Sequence, residues 1–218
     1  MTHRKRLPAP KHYPISRKGL TYVSSIEGSR SPENAIPAVV LLREVLDYAD
    51  SKKEAKKIVQ DRNLYRNGEP VTDIRQGIGV LDVVEIPETE ESYRVIRKGR
   101  NLSFVPVKDA DKVAAKIVGK RVEDEEYVYR LHNGENYRTE DEYETGNTLV
   151  FNDSVKEVAL EEGADVIVIS GQHAGETAEL KEIHERGMDD DTGVVEAEEE
   201  FETQLQNLVA VKGIELGE

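Results

Sequence analysis

The sequence predicts an α+β protein assembled from several small modules, and three observations carry that reading. Apolar residues at helical spacing are confined to residues 41–59 and to one later stretch, 109–118, whereas short strand-like runs bounded by turn residues recur elsewhere. Only 37% of the 218 residues are hydrophobic and 6% aromatic, which suits several small cores better than one large one. The third observation is charge. Residues 1–30 carry seven Lys/Arg against one acid, residues 31–100 twelve against thirteen, and residues 101–218 eleven against thirty. A net charge of -14 therefore conceals a basic beginning (+6), a near-neutral middle (-1) and an acidic remainder (-19).

Composition also excludes several classes. Without cysteine there are no disulfides, thiolate metal sites or cysteine nucleophiles. The five histidines (positions 3, 12, 132, 173 and 184) form no HxxxH or HExxH pair, so no zinc site is expected. The longest apolar run, IPAVVLL, falls far short of the roughly 18 residues a membrane helix needs. No apolar segment follows the basic start, so a secretory signal is not expected and a cytoplasmic location is. No GxxxxGK[ST] loop or nucleophile set near a histidine suggests an enzyme, a cofactor or a small-molecule substrate. The acidic composition suits a salt-rich cytoplasm and a halophilic source. At about 1 M salt the Debye length is about 3 Å, so an acidic surface repels a polyanion far less than in dilute buffer.

Residues 1–35 have Pro8, Pro10 and Pro14 and no helical period, which predicts an extended arm. Its cations are Arg4, Lys5, Arg6, Lys11, Arg17 and Lys18, with Tyr13 and Tyr22 between them. Arginine forks match phosphate oxygens and aromatic rings stack on bases, so this arm is expected to bind RNA. Next, Leu41, Leu42, Val45 and Leu46 have helical spacing. SKKE at Ser51–Glu54 is a capping box opening a second helix, with Ala55, Ile58 and Val59 as its buried stripe. Lys52, Lys53, Lys56 and Lys57 fall largely on the opposite face, with Arg43 and Arg62 nearby in sequence. Asn67-Gly68 predicts a type I′ hairpin turn, followed by a strand from Pro70 to Ile74 and another at LDVVEI. DADKVAAKIV (109–118), with Gly119 past its end, predicts one short helix. YVYRL and NTLVF predict strands, with Asn133-Gly134 marking a hairpin. ADVIVIS then leads into the glycine-punctuated turn GQHAG, where His173 is either a phosphate or base contact or a solvated turn residue. DDD at 189–191 and EEE at 198–200 read as solvated acidic surface rather than magnesium ligands.

The segments HRKRLPAPKHY, IPAVVLLREVLDYA, EAKKIVQDRNLYRNGEPVTD, GVLDVVEI, YRVI, ISGQHAG and FETQLQNLVAVKG fall in the order of the archaeal and eukaryotic small-subunit ribosomal protein S-four-e family, which the chain resembles over nearly its whole length. The resemblance implies a basic arm (1–35), an S-four-type RNA-binding domain (36–100), a central β-rich domain with one short helix (101–160) and a KOW-type SH3-like barrel (161–218). It implies a structural, non-enzymatic component of the small ribosomal subunit, contacting its rRNA and neighbouring ribosomal proteins and no membrane. Carried over by position, the RNA face of the helical module includes Arg43, Lys52, Lys53, Lys56, Lys57 and Arg62. The KOW loop keeps Gly171, His173 and Gly175, but Ala178 stands where the family pattern has glycine, which weakens a grip on RNA by this loop. Tyr13 stands where the family usually has Trp. The rival readings are a KOW-bearing assembly or transcription factor, or an RNA-modifying enzyme, although no catalytic domain is evident.

Overall fold

Strands dominate the structure. The computed structural model describes residues 3–187 and 189–216, and within them lie nineteen strands and two α-helices. They form two compact units: residues up to Ile96 together with Arg100–Asp111, and Arg97–Gly99 together with Lys112–Glu215.

The first unit opens with β1 (His3–Lys5) antiparallel to β2 (Tyr22–Ser24). The expected extended arm is therefore corrected to a chain that loops back on itself. Its prolines punctuate the loop, while His12 and Tyr13 are buried. β3 (Ala35–Pro37) leads into α1 (Ala38–Val40), which continues as a wider π-helical stretch over Leu41–Val45. Residues 38–42 are all buried, which is what their unbroken apolar sequence requires. α2 (Lys52–Gln60) begins at the predicted capping box: Glu54 N donates to Ser51 Oγ (3.2 Å), and Ser51 N donates to Glu54 Oε2 (3.2 Å). Ala55 and Val59 turn inward.

β4 (Tyr65–Arg66) and β5 (Glu69–Pro70) follow, joined by Asn67 and Gly68 at φ 55° and 78°, the two positive values a type I′ turn demands. The strand expected to reach Ile74 stops at Pro70. Beyond it, Thr72 N donates to Gln76 Oε1 and Arg75 N to Asp73 Oδ1, so local side chains take the donors a ladder would use. β6 (Gly77–Gly79) pairs with β3, and β7 (Val83–Ile86), β8 (Glu91–Lys98) and β9 (Asn101–Pro106) complete a sheet ordered β5-β4-β7-β8-β9.

The second unit holds two five-stranded sheets. β10 (Val113–Glu123), β11 (Glu126–Leu131), β12 (Asn136–Thr139), β13 (Thr148–Phe151) and β14 (Lys156–Val158) are ordered β12-β11-β10-β13-β14 around Ala115, Ile117, Tyr129, Leu131 and Leu149. The helix expected over 109–118 is corrected here to a strand. β10 pairs with β13 through Val113–Lys116, then with β11 from Ile117 onward, and Gly119 marks a bulge rather than a helix end. Its β-branched Val113, Ile117, Val118 and Val122 prefer that pleated setting. Asn133-Gly134 makes the predicted turn between β11 and β12, with Gly134 at φ 80°.

β15 (Asp165–Val168), β16 (Thr177–His184), β17 (Thr192–Glu196), β18 (Glu200–Gln204) and β19 (Leu208–Ala210) form an antiparallel sheet ordered β18-β17-β16-β15-β19 over Val166, Val168, Leu180, Val195 and Leu208. The expected barrel does not close: among the described residues no pairing joins β18 to β19. A 3₁₀ turn, Leu205–Asn207, carries the chain from one edge to the other.

Lys116 is buried on β10, and its Nζ donates to the carbonyls of Leu205 (2.5 Å) and Leu208 (2.6 Å). Desolvation pulls its pKa from 10.5 down to about 8. Between those values the unfolded chain binds more protons than the folded one, so this lysine adds stability as pH rises through the window. The neutral amine keeps two N–H donors, enough for both carbonyls. The wild-type denaturation midpoint is therefore expected to gain on that of Lys116→Met between about pH 8 and about pH 10.5. Parallel pH curves for the two proteins would refute the assignment.

Candidate nucleic-acid interface

The cations of the N-terminal segment divide into two groups. Lys5, Lys11 and Lys18 are exposed and Arg4 is half-buried. Arg6 is committed inside the first unit: Nη1 and Nη2 donate to Glu44 Oε1 and Oε2 (3.0 and 2.5 Å) and Nε to the Ser16 carbonyl. That guanidinium holds the Glu44 carboxyl below the usual carboxylate range despite partial desolvation. Arg17 ties the loop to itself, donating from Nη1 to Ala9 O (2.7 Å) and from Nη2 to Pro10 O (2.8 Å). Tyr13 is 3% exposed, sits edge-on to His12 with centroids 5.0 Å apart, and has its hydroxyl pKa pushed up to about 12 by burial. Arg6, Arg17 and Tyr13 thus serve folding, so Tyr13 is not the stacking platform expected of it. Tyr22 is the exposed ring of this segment, at 55%.

α2 supplies the densest exposed positive charge. At about 100° per residue, Lys52, Lys53, Lys56 and Lys57 spread over an arc of about 140° beside the inward Ala55 and Val59, with Lys52 at the edge nearest Val59. All four are exposed, as is Arg62, whose φ of 57° turns the chain just past the helix end. Lys52/Lys56 and Lys53/Lys57 are like-charge pairs at i,i+4, each destabilising by about 0.2–0.5 kcal/mol. Glu54 does not offset them, because its carboxylate accepts from Asp50 N and Ser51 N at the cap. Arg43 is half-buried, with its Nε enclosed and without a hydrogen bond.

The GQHAG turn has a different character. Gly171 and Gly175 adopt φ 98° and 99°, and Gly175 N donates to Val168 O (2.7 Å). A side chain at Gly175 would collide with the Arg97 carbonyl, which belongs to the same compact unit. His173 stacks on Phe201 (centroids 3.8 Å, 13° between planes), and its Nδ1 lies 3.1 Å from Glu176 Oε1. Glu176, Glu196, Glu198 and Glu199 line the hollow beside it. That field repels phosphate, so the phosphate-contact reading of His173 loses support to ring packing with a carboxylate partner.

Sequence reasoning did not find the ion pairs that hold these surfaces in place, Arg6 with Glu44 and Arg30 with Asp82, because their partners lie 38 and 52 residues apart. Lys52, Lys53, Lys56, Lys57 and Arg62 thus form an exposed basic surface on a mostly-β scaffold. No protein-family model matches the chain. It is 34% identical to the small ribosomal subunit protein eS4 of Natronomonas pharaonis, covering 96% of this chain and 94% of that one. It is 35% identical to the protein of the same name from Archaeoglobus fulgidus, covering 97% and 93%. The fold matches the crystal structure of the 30S ribosomal protein S4e from Thermoplasma acidophilum with a TM-score of 0.69, at 20% identity over 84% of this chain and 98% of that one. The chain belongs to the small ribosomal subunit protein eS4 family.

Proposed function

We propose that this chain is a structural constituent of the small ribosomal subunit in the cytoplasm, not an enzyme, and that it binds the subunit's rRNA. Membership of the eS4 family over nearly the full length supports this most directly. In this reading residues 36–100 act as an S-four-type RNA-binding module, with residues 1–35 folded onto it. Lys52, Lys53, Lys56, Lys57, Arg62, Arg4, Lys5, Lys11 and Lys18 face RNA, with Arg43 at the edge of that surface. The sheet of residues 161–218 is a KOW-type module turned toward solvent or a neighbouring protein, as the carboxylates around His173 suggest. The acidic remainder fits a salt-rich cell, where charge is screened within about 3 Å at molar salt and shape, hydrogen bonds and stacking contribute more. Full-length protein mixed with small subunits lacking it, in molar KCl, is expected to co-sediment at one copy per subunit. Sub-stoichiometric occupancy, or release on subunit maturation, would favour a transient assembly factor instead.

A further inference from the structure

The second unit is acidic, with 27 Asp/Glu against 12 Lys/Arg, yet three of its five arginines lie together. Residues partnered across an antiparallel pair share a face. The register Gly119↔Arg130, Arg121↔Val128, Val128↔Arg138 and Arg130↔Asn136 therefore gathers Arg121, Arg130 and Arg138 on one face of β10–β11–β12. Tyr127, Tyr129 and Tyr137 occupy the opposite face and fill or flank the core. The arginine face holds a shallow hollow of about 260 Å³ lined by Gly119, Lys120, Arg121, Val128, Arg130 and Asn136.

Arg130 is exposed, and its guanidinium makes no hydrogen bond or ion pair among the described residues. Opposite it stands Gly119, where a Cβ would lie 3.7 Å from Arg130 Nε and Nη2, so the guanidinium lies over this glycine. Arg121 and Arg138 both reach Glu123 (3.1 and 2.9 Å), and Arg138 also reaches Glu126 (3.4 Å). These pairs are well exposed, contribute little, and leave the forks free to exchange a carboxylate for another anion. The acids sit at the turn end of the β10–β11 hairpin, where Glu123 pairs with Glu126, while Arg130 lies toward the other end.

We propose that this hollow is a second RNA contact, in which Arg130 takes a phosphate and Arg121, Arg138 and the Asn136 amide take neighbouring backbone oxygens. The proposal rests on the ribosomal reading above. Phosphodiester backbone fits better than an acidic protein segment for two reasons. Planar guanidinium forks match phosphate in bidentate fashion. Protein interfaces centre on a buried apolar or aromatic anchor, and the hollow offers none: Val128, its one apolar lining side chain, is 5% exposed.

The test uses the full chain carrying Arg121→Gln, Arg130→Gln and Arg138→Gln, bound to small subunits lacking this protein across a KCl series. The slope of log K against log salt is expected to shrink by about 2, at roughly 0.7 per lost phosphate contact. Photo-crosslinks from the β10–β12 hairpin of the wild-type chain are expected to land on RNA. Arg130→Gln alone, which breaks no hydrogen bond or ion pair within the described residues, guards against misfolding of the triple variant and is expected to lower the slope by about 0.7. A wild-type slope in the variants, or hairpin crosslinks to protein alone, overturns the proposal while leaving the ribosomal reading intact. Failure of the wild-type chain to bind small subunits at all overturns both.

Discussion

Asp82→Ala is expected to destabilise the first unit by about 3–5 kcal/mol, the usual consequence of removing one partner from a buried ion pair. Asp82 and Arg30 have side chains 1% and 5% exposed. Each carboxylate oxygen is occupied: Oδ1 accepts from Arg30 Nη2 and from Asn67 Nδ2 (2.8 Å), and Oδ2 from Gly79 N (2.7 Å). The pair joins three sequence-distant pieces, namely the loop before β3, the β4–β5 turn and the β6 strand. β6 admits Arg30 only because it reads Gly-Ile-Gly. A Cβ at Gly77 would lie 2.7 Å from Arg30 Cβ, and one at Gly79 would lie 3.2 Å from Nη1. Truncating Asp82 leaves a buried guanidinium, a backbone N–H and an amide without their acceptor. Salt decides between this account and a surface interaction. A buried pair is screened little, so the loss should persist in molar KCl, measured by chemical denaturation with a control at an exposed pair such as Lys120–Glu142. A loss below about 1 kcal/mol, or one that vanishes in high salt, would place the pair at an exposed surface instead.

This ion pair also marks where the sequence stops being legible. Features set within four or five residues were readable: the Ser51–Glu54 capping box, the Asn67-Gly68 turn and the Asn133-Gly134 turn all occur where local chemistry put them. Features set by distant partners were not. Val113, Ala114 and Ile117 have helical spacing, but β10 is held by Phe151, Val150 and Leu149 on one side and by β11 on the other. Lys116 lies in that same segment, and nothing local announces Leu205 and Leu208 as its acceptors. The same limit applies to the basic beginning. Its charge was visible, yet only the fold separates Arg6, spent on Glu44, from Lys5, Lys11 and Lys18, which remain exposed. Three prolines within seven residues say that such a segment is not helical; they do not say what it packs against. The α2 lysines were legible because a helix's own periodicity decides which face is left outside.

Those lysines carry the second prediction. A chain with Lys52→Gln, Lys53→Gln, Lys56→Gln and Lys57→Gln removes four cations from a helix whose inward face is untouched. If each lysine neutralises a phosphate, the log–log salt slope for binding small-subunit rRNA should fall by about 3. Because the two proteins should converge near molar salt, the variant is expected to bind about a thousandfold more weakly near 0.1 M KCl. Its folding should move the other way. Losing the like-charge pairs Lys52/Lys56 and Lys53/Lys57 is worth about 0.4–1 kcal/mol to the first unit, and the Ser51–Glu54 cap remains in place. Weaker RNA binding with greater stability is the signature of residues kept for contact rather than for the fold. Surface lysines kept only for solubility would give an unchanged salt slope, and the interface would then have to be sought among Arg4, Lys5, Lys11 and Lys18 of the N-terminal segment. Loss of both binding and stability would instead mean that the helix needs these side chains for packing, which their exposure, beside the buried Ala55 and Val59, argues against.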